Sequence, residues 1–492
     1  MIQDLKRASA HGVAWNLIQN LAAKLLSLVV VAVLARYLDR SAFGAIALAL
    51  TVTALGELLI GQGYGEFISQ RQDLTESHKD TAFWFNAVLG ALIALVIALL
   101  AGPIASLVAE ASVAPVVRWL SISLILRSLT IVPGALLIRQ MDFRALSLRT
   151  IMAAAIGGAA GVVSAISGLG LYSLIVQALV GELVGTLALW RAARWRPHWR
   201  FSVSDLKELS AFGSPIFGGA LLNFVSRRLD TVIIARWLGI ASLGMYSLAQ
   251  RVFQILNQVL NKSGDAVAFS ALAKLSDPER RRQALYKMVE VTAALCFPIY
   301  AGVTVAAEPV MTVVFGEDWS DSAPVLAVFA ISGIPISLSY LNVAALKAVG
   351  KTRAYLMLHI ILVCVYVPLL LVLVRGGAQS AALAYLLACC VIVPVEIGMV
   401  RASLGIQLRD YVRAFLPALV AASVMAIAIL ALERALPPLY PLALLVLESI
   451  IGLVVYVIAL RVVAAATFRR CLDLVRSVVR RGTRAPESTG VT

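Results

Sequence analysis

Arginine and amide side chains recur at helical spacing within otherwise apolar segments of this sequence. One predicted helix carries polar residues in steps of three and four, a spacing that places side chains on a single helix face. These residues are Arg251, Gln254, Gln258, Asn261 and Asp265. The predicted helix before it carries a shorter face of Asn223, Arg227 and Asp230. Guanidinium groups bind phosphate bidentately, so these faces predict an anionic substrate with phosphate groups.

Further cations lie within predicted membrane spans. A charged side chain at the centre of a membrane helix costs roughly 2.5 to 3.5 kcal/mol on insertion scales, so these residues should face a polar chamber and not lipid. Arg228 points about 100° away from Arg227, and the two can hardly satisfy one carboxylate. The predicted substrate-contacting residues are Lys24, Arg127, Asn223, Arg227, Arg228, Arg251, Gln254, Gln258 and Asn261.

Acidic residues within the predicted spans are fewer. They are Glu57, Glu182, Asp230, Glu290, Glu396 and Glu448. An intramembrane carboxylate is a candidate for proton or sodium coupling, and we predict Glu57, Asp230, Glu182, Glu290 and Glu396 as coupling candidates. Any of them could instead hydrogen bond between helices, and Asp230 could form a structural ion pair with Arg227. No metal site, catalytic triad or other cofactor is predicted, because the histidines and cysteines are scattered.

The elements that must position these residues are membrane helices. Hydrophobic residues make up 61% of the chain and charged residues only 14%, against about 25% charged in an average soluble domain. Apolar runs long enough to cross a bilayer, about 20 residues each, predict an all-α integral membrane protein with fourteen spans. Their centres are Ala23, Thr51, Leu92, Leu126, Ala159, Val180, Asn223, Leu256, Ala294, Ile334, Leu362, Leu387, Ser423 and Leu453. The polar gaps are too short for a soluble catalytic domain.

The distribution of basic residues predicts the orientation. Of 42 lysines and arginines, thirty fall in the loops and tail on the side of the N-terminus and five on the other side, which places both termini in the cytoplasm. The first apolar run lacks a small-residue cleavage pattern and is predicted to be a retained helix. The net charge of +15 is largely this orientation signal, so nucleic-acid binding is not predicted.

A sequence motif occurs twice with an offset of two hundred residues. LARYLDRSAFGAIALA (Leu34 to Ala49) matches IARWLGIASLGMYSLA (Ile234 to Ala249), and six predicted spans separate the two copies. This spacing predicts two parallel six-helix repeats related by a pseudo-twofold axis along the membrane normal, a layout in which transporters bind substrate between repeats. The predicted domains are 1–200 (spans 1–6), 201–405 (spans 7–12), 406–465 (spans 13–14) and 466–492, a basic amphipathic tail on the inner leaflet.

Three segments carry a family resemblance. LLNFVSRRLDTVIIARWLGIASLGMYSLAQRV (Leu221 to Val252), RQMDFRAL (Arg139 to Leu146) and GLGLYSLIVQ (Gly168 to Gln177) resemble the polysaccharide transport (Wzx-like) family of the multidrug/oligosaccharidyl-lipid/polysaccharide exporter superfamily. Arg227 and Asp230 match the family pattern of span seven. Arg228 stands where the family has a small polar residue, and Ala235 where it has glycine, so no role is carried over to Arg228.

The resemblance implies a function. It implies a flippase that moves undecaprenyl-diphosphate-linked oligosaccharide from the cytoplasmic to the periplasmic leaflet of a bacterial inner membrane, by alternating access driven by an H+ or Na+ gradient. Amides such as Asn223 and Gln254 would then meet sugars, and the lipid tail would stay in the bilayer near spans thirteen and fourteen. Implied partners are the polysaccharide polymerase and chain-length regulator.

Three alternatives remain from the sequence. A lipid II flippase fits the fold and the charge of the chamber equally well. A multidrug extruder of the same architecture would expel organic cations and should have an acidic, aromatic cavity, whereas this one is rich in arginine. A membrane-embedded glycosyltransferase or polymerase would need a sizeable loop with catalytic residues, and the outer loop from Glu308 to Asp321 is acidic but short.

Overall fold

The described part of the chain consists mainly of helices long enough to cross a membrane. The computed structural model describes residues 24–61, 63–437 and 440–470, apart from a few side chains within helices, that of Arg227 among them. Eleven of the described helices are long and apolar enough to cross a membrane, or up to 12 if a bent pair counts as one span. Every predicted span centre from Thr51 to Leu453 lies in a helix, and Ala23 lies outside the described residues. The predicted all-α membrane fold is confirmed.

The regular elements of the described residues are all helical. The first nine are α1 (Lys24–Ala35), α2 (Arg40–Gly61), α3 (Tyr64–Gln70), α4 (Glu76–Leu107), α5 (Val113–Ser128), α6 (Ile131–Arg139), α7 (Phe143–Ile166), α8 (Tyr172–Ala193) and α9 (Val203–Asn257). A π-helical turn (Gln258–Lys262) joins α9 to the others, which are α10 (Ser263–Lys274), α11 (Pro278–Val305), α12 (Ala307–Phe315), α13 (Ala323–Ala348), α14 (Thr352–Leu373), α15 (Ala378–Leu404), α16 (Leu408–Ala435) and α17 (Pro441–Val463). Two short 3-10 helices, Glu317–Ser322 and Val374–Gly376, precede α13 and α15.

The helices form two compact units. The first unit consists of the described residues up to Leu248 together with Leu370–Ala381. The second consists of Ala249–Leu369 and the described residues from Ala382 onward. In the second unit α11, α13 and α16 pack together around a buried core that includes Phe297, Leu341 and Tyr411. These units are defined by spatial contacts, whereas the domain boundaries predicted at residues 200, 405 and 465 are defined by the sequence repeat. The predicted boundaries therefore stay a prediction.

A helix break separates α5 from α6. Together the two helices are long and apolar enough to cross a membrane, but their axes are bent by 42°. Pro133, in the first turn of α6, has no backbone N–H to donate to the carbonyl of Leu129, four residues earlier. In a continuous α-helix its ring would also clash with that carbonyl. The indole Nε1 of Trp190 on α8 donates a hydrogen bond of 3.1 Å to that Leu129 carbonyl. The bend is therefore stabilised from a neighbouring helix, as buried irregular backbone within a membrane requires.

The two copies of the repeated motif have different turns at the same position. In the first copy Asp39 ends the turn before α2, and its carboxylate accepts a hydrogen bond from the backbone N–H of Ala42 at 3.1 Å, which is the geometry of a helix N-cap. In the second copy Gly239 stands at the equivalent position with φ 82° and ψ 172° and breaks α9 into two limbs. Glycine adopts this positive φ without a Cβ clash, so each copy forms its turn by a different local device.

The motif copies also pack against each other within the first unit. A Cβ built on Gly44 would lie 1.9 Å from the carbonyl oxygen of Ile240, and one built on Gly244 would lie 1.9 Å from the carbonyl oxygen of Arg40. With the offset of two hundred residues, Gly44 corresponds to Gly244 and Arg40 to Ile240. The contact is therefore reciprocal, and it depends on the absence of a side chain at both glycines.

The segment between α8 and α9 is bound to the start of α4. The buried Asp80 carboxylate accepts a hydrogen bond of 3.0 Å from the backbone N–H of His198. Glu208, near the start of α9, pairs with Arg71 and lies 3.3 Å from Nε2 of His78. Hydrogen bonding to Arg71, and secondarily to His78, lowers the pKa of the Glu208 carboxyl. The basic segment between α8 and α9 is therefore attached to α4 through His198, and the first turns of α9 are attached through Glu208.

Candidate functional site

Arg127 lies at the end of α5, directly before the helix break, and contacts two acids from two other helices. Its Nη2 donates a hydrogen bond of 3.1 Å to Glu57 on α2, and its Nη1 lies 3.5 Å from Glu182 Oε1 on α8. Arg149 on α7 approaches the same Glu182 oxygen at 3.7 Å. We call these four residues the Arg127 cluster. It joins four helices of the first unit through two arginines and two glutamates.

The Arg127 cluster is charge-balanced and partly accessible. The Arg127 and Glu57 side chains keep 39% and 36% of their surface exposed, whereas Glu182 keeps 19%. The sequence predicted a mostly cationic surface at Arg127, but it could not reveal that both neighbouring acids approach this guanidinium. An anionic ligand must therefore compete with Glu57 and Glu182 for Arg127, and the more exposed Glu57 is the easier of the two to displace.

The polar residues of the predicted face from Arg251 to Asp265 lie in different environments. Arg251 and Gln258 are half-buried, Gln254 is exposed and Asn261 is buried. The Asn261 amide donates to the Tyr300 hydroxyl at 2.9 Å and to Asn257 Oδ1 at 2.7 Å. The π-helical turn from Gln258 rotates Asn261 relative to the α-helical face that carries Arg251 and Gln254, because a π-helix has a wider turn. The side chain of Asp265 lies outside the described residues.

The predicted face on α9 contains a buried acid. Asp230 accepts a hydrogen bond of 3.0 Å from the Tyr246 hydroxyl and one of 2.7 Å from the backbone N–H of Thr231. Because Asp230 and Tyr246 lie on opposite sides of the Gly239 break, their hydrogen bond holds the two limbs of α9 together. Asn223 and Lys24 are half-buried and Arg228 is exposed. The side chain of Arg227 is outside the described set, so the predicted pair of Arg227 with Asp230 stays a prediction.

Glu396 belongs to a hydrogen-bonded network in the second unit. Its carboxylate accepts from the Ser339 hydroxyl at 2.6 Å and from the Asn342 amide at 3.3 Å, and Asn342 Oδ1 accepts from the Tyr411 hydroxyl at 2.7 Å. All but Ser339 are buried. The network joins α13, α15 and α16. Sequence reasoning identified Glu396 alone, because its partners lie on other helices with no shared spacing.

Glu290 on α11 contacts the chain that follows α17. Thr467 Oγ1 and Arg470 Nη1 each donate to a different Glu290 oxygen at 2.5 Å. The first residues of the predicted amphipathic tail are thus attached to the second unit, and residues 471–492 lie outside the described part of the chain. This pairing favours an anchoring role for Glu290 among the predicted coupling candidates.

The helix arrangement is that of known transporters. A lipid II flippase, MurJ, in an inward closed conformation, superposes with a TM-score of 0.76 over 94% of this chain and 100% of that chain, at 13% sequence identity. At this identity the similarity establishes the fold. Together with the membrane-length apolar helices, it defines a multi-pass membrane protein with the fold of that flippase.

Sequence comparisons define the family more narrowly. The model of the polysaccharide biosynthesis protein family matches residues 33–324, and the chain belongs to this family. The succinoglycan biosynthesis transport protein ExoT of Rhizobium meliloti (strain 1021) is 32% identical over 344 residues, 69% of this chain and 69% of that protein. The lipopolysaccharide biosynthesis protein WzxC of Escherichia coli (strain K12) is 26% identical over 426 residues, 83% of this chain and 84% of that protein. The family predicted from three segments of the sequence is confirmed.

Proposed function

We propose that this protein is a flippase that moves an undecaprenyl-diphosphate-linked oligosaccharide from the cytoplasmic to the periplasmic leaflet of a bacterial inner membrane, for surface polysaccharide assembly. The observation that carries the proposal is the Arg127 cluster, a partly exposed guanidinium at a helix break inside a transporter fold. The names of ExoT and WzxC support the substrate class. The relatives also favour a transporter over a glycosyltransferase or polymerase.

The proposal includes the finer architecture predicted from the sequence. In this proposal the protein has fourteen spans, two parallel six-helix repeats and both termini in the cytoplasm. The reciprocal contact of Gly44 and Gly244 with backbone carbonyls of the other motif copy supports a twofold relation between the copies, because symmetry-related residues make the same contact. Alternating access between two such repeats would expose a bound headgroup first to one leaflet and then to the other.

The Arg127 cluster can link binding of a diphosphate to an ion gradient. A diphosphate bound to Arg127 accepts the guanidinium hydrogen bond that Glu57 accepts in its absence. The negative charge of the diphosphate then lies close to Glu57 and Glu182. The repulsion is relieved when one carboxylate takes up a proton or binds Na+. Binding of the anion and of the cation then favour each other, and this reciprocal dependence is the thermodynamic requirement for coupling.

We expect Glu57→Gln to weaken the effect of an ion gradient on transport strongly. Glutamine still offers an oxygen to Arg127 but cannot exchange a proton or carry charge. The measurement is the rate at which reconstituted protein moves lipid-linked oligosaccharide, with and without an imposed H+ or Na+ gradient. Glu66→Gln, an exposed acid on α3, is the matched control and should respond to the gradient like the unmodified protein. A full gradient response in Glu57→Gln would remove this residue from the coupling candidates.

Depletion of the protein tests the proposed substrate directly. We expect one complete oligosaccharide on its polyprenyl-diphosphate carrier to accumulate, because synthesis in the cytoplasmic leaflet continues when translocation stops. Mass spectrometry of the polyprenyl-diphosphate lipids measures this, and restoring the protein should reverse it. Absence of accumulation together with new sensitivity to cationic dyes would contradict the proposal and favour a multidrug extruder.

A lipid II flippase is the second candidate function. The specific observation in its favour is the superposition on MurJ over nearly the whole of both chains. The same mass spectra separate the two functions, because accumulation of lipid II with no other carrier-linked glycan would identify lipid II as the substrate.

A further inference from the structure

Glu448 on α17 lies apart from every cluster described above. Its side chain is only 1% exposed, and neither of its carboxyl oxygens has a hydrogen-bond donor among the described residues. The polar side chain beside it is that of Glu433 on α16. An ionised carboxylate is costly to bury without a donor or a countercharge, and a neutral carboxyl group costs far less.

The packing of α16 against α17 places these two acids opposite each other. The buried residues of α17 recur in steps of four and are Glu448, Gly452, Tyr456 and Leu460. On α16 the buried Met425 and Ile429 follow the same step, which Glu433 continues. A Cβ on Gly452 would lie 3.0 Å from Cδ1 of Ile429, so the two stripes are in contact. One turn further along, Glu448 and Glu433 extend both stripes.

No basic residue pairs with either acid in the part of the chain that the structure describes. Arg434 is exposed at the end of α16, and Glu308 on the neighbouring α12 is exposed as well. Glu290 on α11, which also packs on α17, is paired with Thr467 and Arg470. The described residues contain no group of three or more metal-binding side chains. Two carboxyl groups can hydrogen bond to each other only when one of them carries a proton.

We infer that Glu433 and Glu448 form a proton-binding site on the last two spans, separate from the Arg127 cluster, through which transport responds to pH. Glu448 lies seven residues after Pro441, about 10 Å along the helix from its start, and Glu433 lies close to the end of α16. In the predicted orientation these helix ends face the periplasm. Protons would therefore enter from that side. Only this transport role depends on the proposed function.

Carbodiimide labelling tests the proton site without any substrate. Dicyclohexylcarbodiimide reacts with protonated carboxyl groups in apolar surroundings. We expect peptide mass spectrometry of the purified full-length protein to find Glu448 or Glu433 labelled near neutral pH, with labelling that disappears at alkaline pH. Glu308, exposed in the first turn of α12, is the internal control and should stay unlabelled at neutral pH. Absence of label from both Glu448 and the half-buried Glu433 across the pH range would overturn the inference.

A transport measurement separates proton binding from a purely structural hydrogen bond. Glu448→Gln can still hydrogen bond to Glu433 but cannot release a proton. One pH unit changes the occupancy of a single proton site at most about tenfold. We therefore expect Glu448→Gln to lose up to about tenfold of the acceleration that a gradient of one pH unit gives the unmodified protein, while Glu308→Gln responds like the unmodified protein. A normal gradient response in Glu448→Gln would overturn the inference and leave the proposed function intact. Failure of the unmodified protein to move the lipid would contradict the proposed function instead, and the labelling result would stand.

Discussion

Replacement of Arg127 by alanine is expected to stop export of the oligosaccharide while the protein still inserts into the membrane. A charge-assisted hydrogen bond contributes about 1.5 to 3 kcal/mol, and a bidentate guanidinium makes two such bonds to a phosphate. Loss of both should lower transport at least about a hundredfold. The measurement is the transport rate per inserted molecule, with insertion determined from the membrane fraction.

Variants of the same cluster distinguish a substrate contact from a structural ion pair. Arg127→Ala leaves Glu57 and Glu182 near each other without their shared cation, and this repulsion alone could lower the amount of folded protein. The double variant Arg127→Ala with Glu57→Gln removes the repulsion, so we expect it to restore the folded amount but not transport. Arg127→Lys keeps the charge without the bidentate geometry and should have an intermediate rate. Normal export by Arg127→Ala would refute the role of this residue in substrate binding.

The sequence predicted where the described membrane helices lie, because hydrophobic length is a local property, and the count of fourteen stays a prediction. Each span needs about 20 apolar residues, and every described span centre was identified from windows of that size. The bend between α5 and α6 could be predicted in part from the sequence, since Pro133 must disturb a helix. The hydrogen bond from Trp190 that stabilises the bend could not be predicted, because a contact with a residue far along the chain has no signature in local spacing.

The candidate site shows the same limit. Arg127, Glu57 and Glu182 were each identified as charges inside spans, but the sequence placed the first among substrate contacts and the others among coupling candidates. The structure places them in one ion-paired cluster. Helical periodicity also assumed an α-helix from Arg251 to Asp265, and the π-helical turn from Gln258 changes which side chains share a face. Spacing predicts a helix face only while the helix type stays constant.

The repeated motif gains a physical explanation from the structure. Its six identical positions include Gly44 and Gly244, and each glycine allows the backbone of the other copy to approach closely. The glycine is therefore required at both positions for packing, whereas the turn residues Asp39 and Gly239 differ because either can begin the next helix. The glycine is present in both copies of the motif because both copies make the same close contact.

Gly44→Ala and Gly244→Ala are expected to destabilise the protein strongly and to similar extents. Each added Cβ would lie 1.9 Å from a backbone carbonyl oxygen, and backbone cannot rotate away as a flexible side chain can, so the helices must separate. Overpacking of this kind costs about 1 to 3 kcal/mol and occasionally more. Thermal unfolding of the purified variants should therefore show a lower midpoint for both, with transport lowered as well.

Gly398→Ala provides the control for the change of residue type. Gly398 lies within α15 and is followed by Met399, and no atom outside its chain neighbours lies within 4 Å of a Cβ built on it. Alanine is favoured over glycine in a helix by roughly 1 kcal/mol, so this variant should be as stable as the unmodified protein or slightly more so. If Gly44→Ala unfolded at the same temperature as Gly398→Ala, the helices carrying the two motifs could separate at no cost. A large effect at only one of the two motif glycines would contradict the reciprocal contact, because each meets the same backbone atom of the other copy.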